Sequence, residues 1–263
     1  MLDAIRAAKD AQSTEHLIQP LLRGEREALR VLLATRQGAV LASTAAINQF
    51  KALIISAPDN LRAELRQLKR PAQITHRAQI QGRPAQDLEH RMTARALHST
   101  AQRAQSLQAE AKDLEKEILI LSREVAPELR GLLGVGPITA AQILVSWSHQ
   151  GRFRSVAAFA SFAGVSPIPA PSGLTNQHRL NRSGDRQLNR AMHTITLIRM
   201  RLDPATKAYV ARRITEEKTP RHAQRCLKRA ICRSIFKTLE RTDRAKTKTK
   251  TKTRSIEELV RAA

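Results

Sequence analysis

Apolar residues recur at helical spacing along most of the chain. From Leu21 to Ile55 a stripe forms at Leu22, Leu29, Leu32, Leu33, Val40, Ile47, Phe50, Leu53 and Ile54, with Arg23, Arg26, Arg30, Arg36 and Lys51 among them. A shorter stripe, Ala4, Ala7, Ala8 and Ala11, precedes it and is interrupted by Pro20. Pro58-Asp59-Asn60 ends the long helix and starts another through Leu68, so residues 1–70 read as helical. Pro71, Gly82 and Pro84 make residues 71–86 a turn or hinge. From Asp87 to Val125, Ala104, Leu107, Ala111, Leu114, Ile118, Leu121 and Val125 alternate three and four apart, flanked by Lys112, Glu115, Lys116 and Glu117. That is a coiled-coil seam, which either zips to a second chain or folds back on the helix of 21–55.

Pro127 closes the arm, and Glu128 to Leu133 reads as a short helix. Leu133-Gly134-Val135-Gly136-Pro137 resembles a helix-hairpin-helix turn, in which glycines permit positive φ and free backbone N–H groups suit a phosphate. Ser155 is placed to cap a helix from Val156 to Ala163. Pro167, Pro169 and Pro171 then alternate with Ile168 and Ala170 in a stiff extended stretch ending at Ser172-Gly173. The next helix turns Leu188, Ala191, Met192, Ile195 and Ile198 inward and carries Arg186 and Arg190 on one face. Asp203-Pro204 opens a helix holding Tyr209, Val210 and Ile214. Thr219-Pro220 opens another, with Ala223, Leu227, Ala230, Ile231, Ile235 and Leu239 inward. Its other face carries Arg221, Arg225, Lys228, Arg229, Arg233 and Lys237. Residues 242–254 are a lysine-threonine repeat expected to be disordered, and Ser255 to Glu258 is a capping-box pattern for a short last helix. The fold class is mainly α: a helical segment 1–70, a hinge and coiled-coil arm 71–126, a compact domain 127–241 and a basic tail 242–263.

Charge narrows the partner. A formal net charge of +23 over 263 residues attracts polyanions, with nucleic acid first and a membrane surface second. No run of about 18 apolar residues offers a membrane span. MLDAIRAAKD lacks the apolar centre of a secretory signal, so the cytoplasm is the expected compartment. Cys226 and Cys232, six apart on a helix, face different sides and read as small buried thiols. The eight histidines form no zinc-hydrolase motif, and 3% aromatics argue against base-stacking platforms of the RRM or OB type.

Between Gly151 and Met200 there are seven arginines, no lysine and one acid, Asp185. Arg152, Arg154, Arg179, Arg182, Arg186 and Arg190 with Gly134 and Gly136 are the candidate nucleic-acid-binding residues. A serine before glycine most often caps a turn. Guanidinium groups around the Ser172 hydroxyl are what phosphodiester attack asks for, since they stabilise the charge of a pentavalent phosphorane.

Three strings carry a family resemblance: Leu132-Leu133-Gly134-Val135-Gly136-Pro137-Ile138-Thr139-Ala140, then Phe162-Ala163-Gly164-Val165-Ser166-Pro167, then Pro171-Ser172-Gly173 with Ser183-Gly184-Asp185-Arg186-Gln187-Leu188. Over about residues 128–215 the chain resembles the insertion-sequence transposases typified by the elements numbered one-ten, one-sixteen and nine-oh-two. Members of that family begin with a RuvC-like domain whose Asp, Glu, Asp and Asp hold Mg²⁺. Leu2-Asp3-Ala4 resembles the last of these, and the first three acids have no counterpart, so the resemblance implies an N-terminally truncated copy. A lone Asp3 cannot build a two-metal site. The resemblance further implies that Ser172 attacks DNA and links to it covalently, that Asp3 is catalytic and binds Mg²⁺ only within a complete set of acids, and that a structured guide RNA is a partner. A homo-oligomer through the coiled coil is expected. The rival readings are a non-catalytic DNA- or RNA-binding remnant and a basic structural protein of the nucleoid or ribosome.

Overall fold

A computed structural model describes residues 2–13, 23–79, 87–170, 178–216 and 218–262, the last stretch beyond Ala245 for its backbone alone. The chain is mainly α, and among the described residues it holds eleven helices and one two-stranded antiparallel sheet. It divides into two compact units, Arg30–Leu121 and a unit formed by Met1–Leu29 with Ser122–Ala263. The boundary expected near residue 70 therefore falls inside the first unit.

That first unit takes most of α2 (Glu25–Ser56), with α3 (Asp59–Arg66), α4 (Arg70–Gln79) and most of α5 (Leu88–Val125). Ser43 Oγ donates to the Ala104 carbonyl at 3.4 Å and Arg36 Nη2 to Glu115 at 2.9 Å, so α2 and α5 run antiparallel. The seam positions Ala104, Ala111 and Ile118 are buried. Of the two arrangements open to this stripe, the structure shows the fold-back one, with α2 of the same chain against α5. Ala46, Phe50, Leu65, Ile74, Leu97, Ala101 and Ala104 form the core.

Ile74 belongs to α4, which corrects the expected hinge over residues 71–86: residues 70–79 are helical. Proline is tolerated in a first helical turn because its missing N–H has no partner there anyway, and Gln73 N already donates back to the Lys69 carbonyl at 3.0 Å. Gly82 and Pro84 lie outside the described residues. Helix α2 is long and apolar enough to cross a membrane by length and composition, with an 18-residue window of mean hydropathy 1.4. Its alanines keep the average high although Ser43, Thr44, Asn48 and Gln49 break any continuous apolar run.

The other unit holds α1 (Leu2–Ser13), α6 (Pro127–Arg130), α7 (Pro137–Trp147), α8 (Val156–Phe162), the strands β1 (Ile168–Pro169) and β2 (His178–Arg179), α9 (Arg186–Leu202), α10 (Pro204–Thr215) and α11 (Pro220–Ala262). Helix α9 packs on α7, and α11 packs on α6, α8, α9 and α10. Leu144, Trp147, Phe159, Leu188, Met192, Ile195, Ile231 and Ile235 fill the space between them. The Phe159 and Phe236 rings stack at 5.2 Å.

Three expectations fail in this unit. Ala230, placed on the inward stripe, is exposed; Cys232 is buried as expected, and Phe236, left off the stripe, is buried too because α11 is embraced on a wider arc than one stripe provides. Residues 242–262 continue α11 without a break, in place of a disordered repeat and a separate short helix. No glycine or proline interrupts them, and lysine is a good helix former.

Candidate nucleic-acid interface

The two strands pair Ile168 with Arg179 and Pro169 with His178, so the expected extended proline stretch is the first arm of a hairpin. Ser172, with Pro171 and Gly173, lies in the connection between these strands and outside the described residues.

What holds the hairpin's base is well defined. The end of α8 leaves its last carbonyls unpaired, as every helix C-terminus does. Asp185 N donates to the Phe162 carbonyl at 2.7 Å, Asn181 Nδ2 to Ser161 at 3.3 Å, and Asn189 Nδ2 to Ala163 at 2.7 Å and Gly164 at 3.1 Å. Lys228 Nζ in turn donates to Asn189 Oδ1 at 2.8 Å, and burial lowers its pKa. This close docking requires glycine twice. Gly164 sits at φ +64° with Asn189 Nδ2 and the Ser183 carbonyl both 2.9 Å from where a Cβ would stand. Gly184, at φ +92°, would place a Cβ 2.3 Å from the Phe162 carbonyl oxygen. Asp185 also caps α9, its Oδ1 accepting from Gln187 N and Leu188 N, while Ser146 Oγ donates to its Oδ2 at 2.6 Å. The one acid of this arginine-rich stretch is thus spent on architecture. Sequence reasoning missed Asn181, Asn189 and Lys228. A Gly-Asp pair before a helix was the available signal, and it marks a cap.

The arginines divide into two groups. Arg154, Arg179, Arg182, Arg186 and Arg190 are exposed, the last two on the first turns of α9. Arg152 is turned inward: its Nη1 donates to the Ser146 carbonyl at 2.5 Å, and its guanidinium lies over the Phe153 and Phe162 rings at 5.1 and 5.3 Å. Burial lowers its pKa, against the opposing pull of Asp185. It therefore braces the α7–α8 loop. Ser155 caps α8 as expected, accepting from Ala158 N at 3.1 Å.

In the turn before α7 only Gly134 has positive φ, at +83°; Gly136 is extended and caps α7, with Pro137 in its first turn. A Cβ on Gly134 would stand 3.2 Å from the Ile195 carbonyl oxygen, and Arg199 Nε donates to the Leu133 carbonyl at 2.8 Å. The close approach that Gly134 permits is to α9. Asp3 is exposed in the first turn of α1.

Residues 126–211 match the sequence profile of the family described as Transposase IS116/IS110/IS902 family. That segment belongs to this transposase family. It is also 34% identical over 124 residues to the Insertion element IS110 uncharacterized 43.6 kDa protein of Streptomyces coelicolor, a match covering 47% of this chain and 30% of that protein. A second relative, the Insertion element IS900 uncharacterized 42 kDa protein of Mycobacterium paratuberculosis, is 29% identical over 152 residues, or 51% of this chain and 38% of its own length. The matches thus span under two fifths of either relative. The transposase segment contains Ser172, the two strands and every candidate arginine, and leaves out Asp3 and α11.

Proposed function

We propose that the chain is a DNA transposase of an insertion sequence and transfers strands through Ser172. The observation that carries this reading is the transposase segment itself, in which a glycine- and asparagine-clamped strand pair flanks, in sequence, the stretch that contains Ser172, and Arg179, Arg182, Arg186 and Arg190 follow it exposed. Ser172 Oγ attacks a backbone phosphorus and loses its proton, and the deoxyribose oxygen leaves as a hydroxyl. One phosphodiester is exchanged for another, so the covalent serine–DNA link keeps the bond for rejoining to a second strand. The arginines neutralise the non-bridging oxygens as charge builds on them.

A structured guide RNA and a homo-oligomer complete the proposal, since recombining two duplexes takes more than one serine. The α5 seam faces α2 of the same chain, so we place the contact between copies elsewhere. The Mg²⁺ implied by the family does not fit what is described. Among the described residues no three His, Cys, Asp or Glu side chains gather, and Asp3 alone supplies one carboxylate where a two-metal site needs several. A second reading, a DNA-binding protein without strand-transfer activity, rests on the net charge of +23, which draws a polyanion without requiring a nucleophile.

Denaturing electrophoresis of the protein with labelled element ends and guide RNA separates the two. The transposase reading expects a covalent adduct with wild type, none with Ser172→Ala, and duplex affinity changed by less than about twofold. An adduct that survives Ser172→Ala sinks Ser172 as nucleophile, and binding without any adduct supports the second reading.

A further inference from the structure

Helix α11 carries an arrangement that its packing does not explain. Arg221, Arg225, Arg229, Arg233, Lys237 and Arg241 stand four residues apart without interruption. The buried positions Ala223, Leu227, Ile231, Ile235 and Leu239 are also four apart, and at each level they lie about half a turn away. The cationic row therefore follows the outer side of the helix as the buried row follows the core. All six except half-buried Arg229 are exposed. Arg229 donates to the Val156 carbonyl at 3.3 Å, and Arg241 pairs with the exposed Glu128 at 3.1 Å. Like charges four apart destabilise a helix, so a row of six is costly in the absence of an anion.

At its C-terminal end the row enters an open cleft of about 720 Å³. Arg154, Lys237, Arg241 and Arg244 stand around this cleft, with Phe153 and Phe236 in its wall. Its one acid, Glu240, already accepts from Trp147 Nε1 at 2.9 Å. The volume is that of a small-ligand site. The cations suit the phosphate of a nucleotide, and the exposed part of half-buried Phe153 gives its base an apolar surface to lie against.

We propose that α11 is the track of an unpaired DNA strand and that the cleft receives one of its nucleotides. The cations rise about 6 Å and turn about 40° at each step, so the row climbs about 30 Å while swinging about 200° around the helix. Duplex DNA, stiff over about 150 base pairs, meets only part of such a row, whereas a single strand bends to follow it. That the strand is DNA rests on the strand-transfer reading above, because a cut strand that moves from one duplex to another must leave its old complement and is unpaired on the way. The track lies outside the matched transposase segment and does not involve Ser172.

The test uses the full chain and fluorescence anisotropy with one labelled sequence as single-stranded DNA, single-stranded RNA and duplex, each over a range of salt. Arg233→Gln/Lys237→Gln removes two exposed cations that make no hydrogen bond or ion pair among the described residues. Arg95→Gln/Arg103→Gln, on the exposed side of α5, is the charge-matched control. The track variant is expected to lose about tenfold in affinity for single-stranded DNA, with the slope of log affinity against log salt shallower by about 1.4. The control should change affinity less than about twofold. Equal losses in both variants, or a wild type that prefers the RNA or the duplex, overturn the proposal. Wild type that binds no nucleic acid sinks the transposase reading too, whereas an intact Ser172 adduct with unchanged single-strand binding in the track variant sinks the track alone.

Discussion

At the scale of single residues, the recognisable motifs turn out to be joints. Gly184 and Asp185 stand where a motif suggests chemistry, yet Gly184 lets the backbone meet Phe162 and Asp185 closes two hydrogen-bonded networks. Gly184→Ala adds a backbone clash to an unfavourable φ and is expected to cost roughly 4 kcal/mol or more. Gly24→Ala shares the positive φ, at +78°, but meets open space, so about 1–2 kcal/mol is expected. Trp147, the only tryptophan, is buried in the same unit as both glycines and gives the fluorescence signal for urea unfolding. Equal shifts for the two variants would remove the docking argument. Cys232 offers a second check, because burial pushes its thiol up to about 12. The thiolate is the reactive form, so at pH 8 only about one thiol in ten thousand is ionised and an aromatic disulfide reagent should spare it until urea is added. With its folded pKa raised, the thiol's contribution to stability is complete below about pH 8.5 and is lost as pH rises toward 12.

Elements were legible where one face is buried along the whole length. The α5 seam and the α9 stripe have that property, and both were found from spacing alone. Helix α4 was hidden because Pro71 and the glycine beyond it dominate a short window, while its tie to the core runs through Ile74. The choice between fold-back and dimer for α5 depended on the partner helix, and nothing in a seam's own pattern names its partner. Phe50 sits at the centre of that fold-back with 1% of its surface exposed. Phe50→Ala should therefore destabilise Arg30–Leu121 by about 3–5 kcal/mol, seen as an earlier far-UV circular dichroism transition. A change within about 1 kcal/mol would mean that α2 and α5 do not share this core.

For the molecule as a whole, composition pointed to the partner class more directly than to any site. Ser172 was conspicuous in sequence, but the groups that clamp the end of α8 to the start of α9, Asn181, Asn189 and Lys228, are scattered over 48 positions and meet only through folding. Net charge needs no such convergence, and its consequence is measurable on the intact chain. Each phosphate neutralised releases counterions, so duplex affinity should fall by about 10³ or more between 50 and 200 mM salt if six or more phosphates are engaged. Residues 242–263 contain seven basic and three acidic residues, and their backbone prolongs α11 rather than trailing from it. Deleting them should make the salt slope shallower for every nucleic acid alike, since lysines on a repeat read phosphate and not sequence. The same deletion should leave the Ser172→Ala comparison unaltered, because the hairpin's clamps come from α8, α9 and Lys228. Affinity independent of salt, before or after the deletion, would show that the charge of +23 is not what holds the nucleic acid.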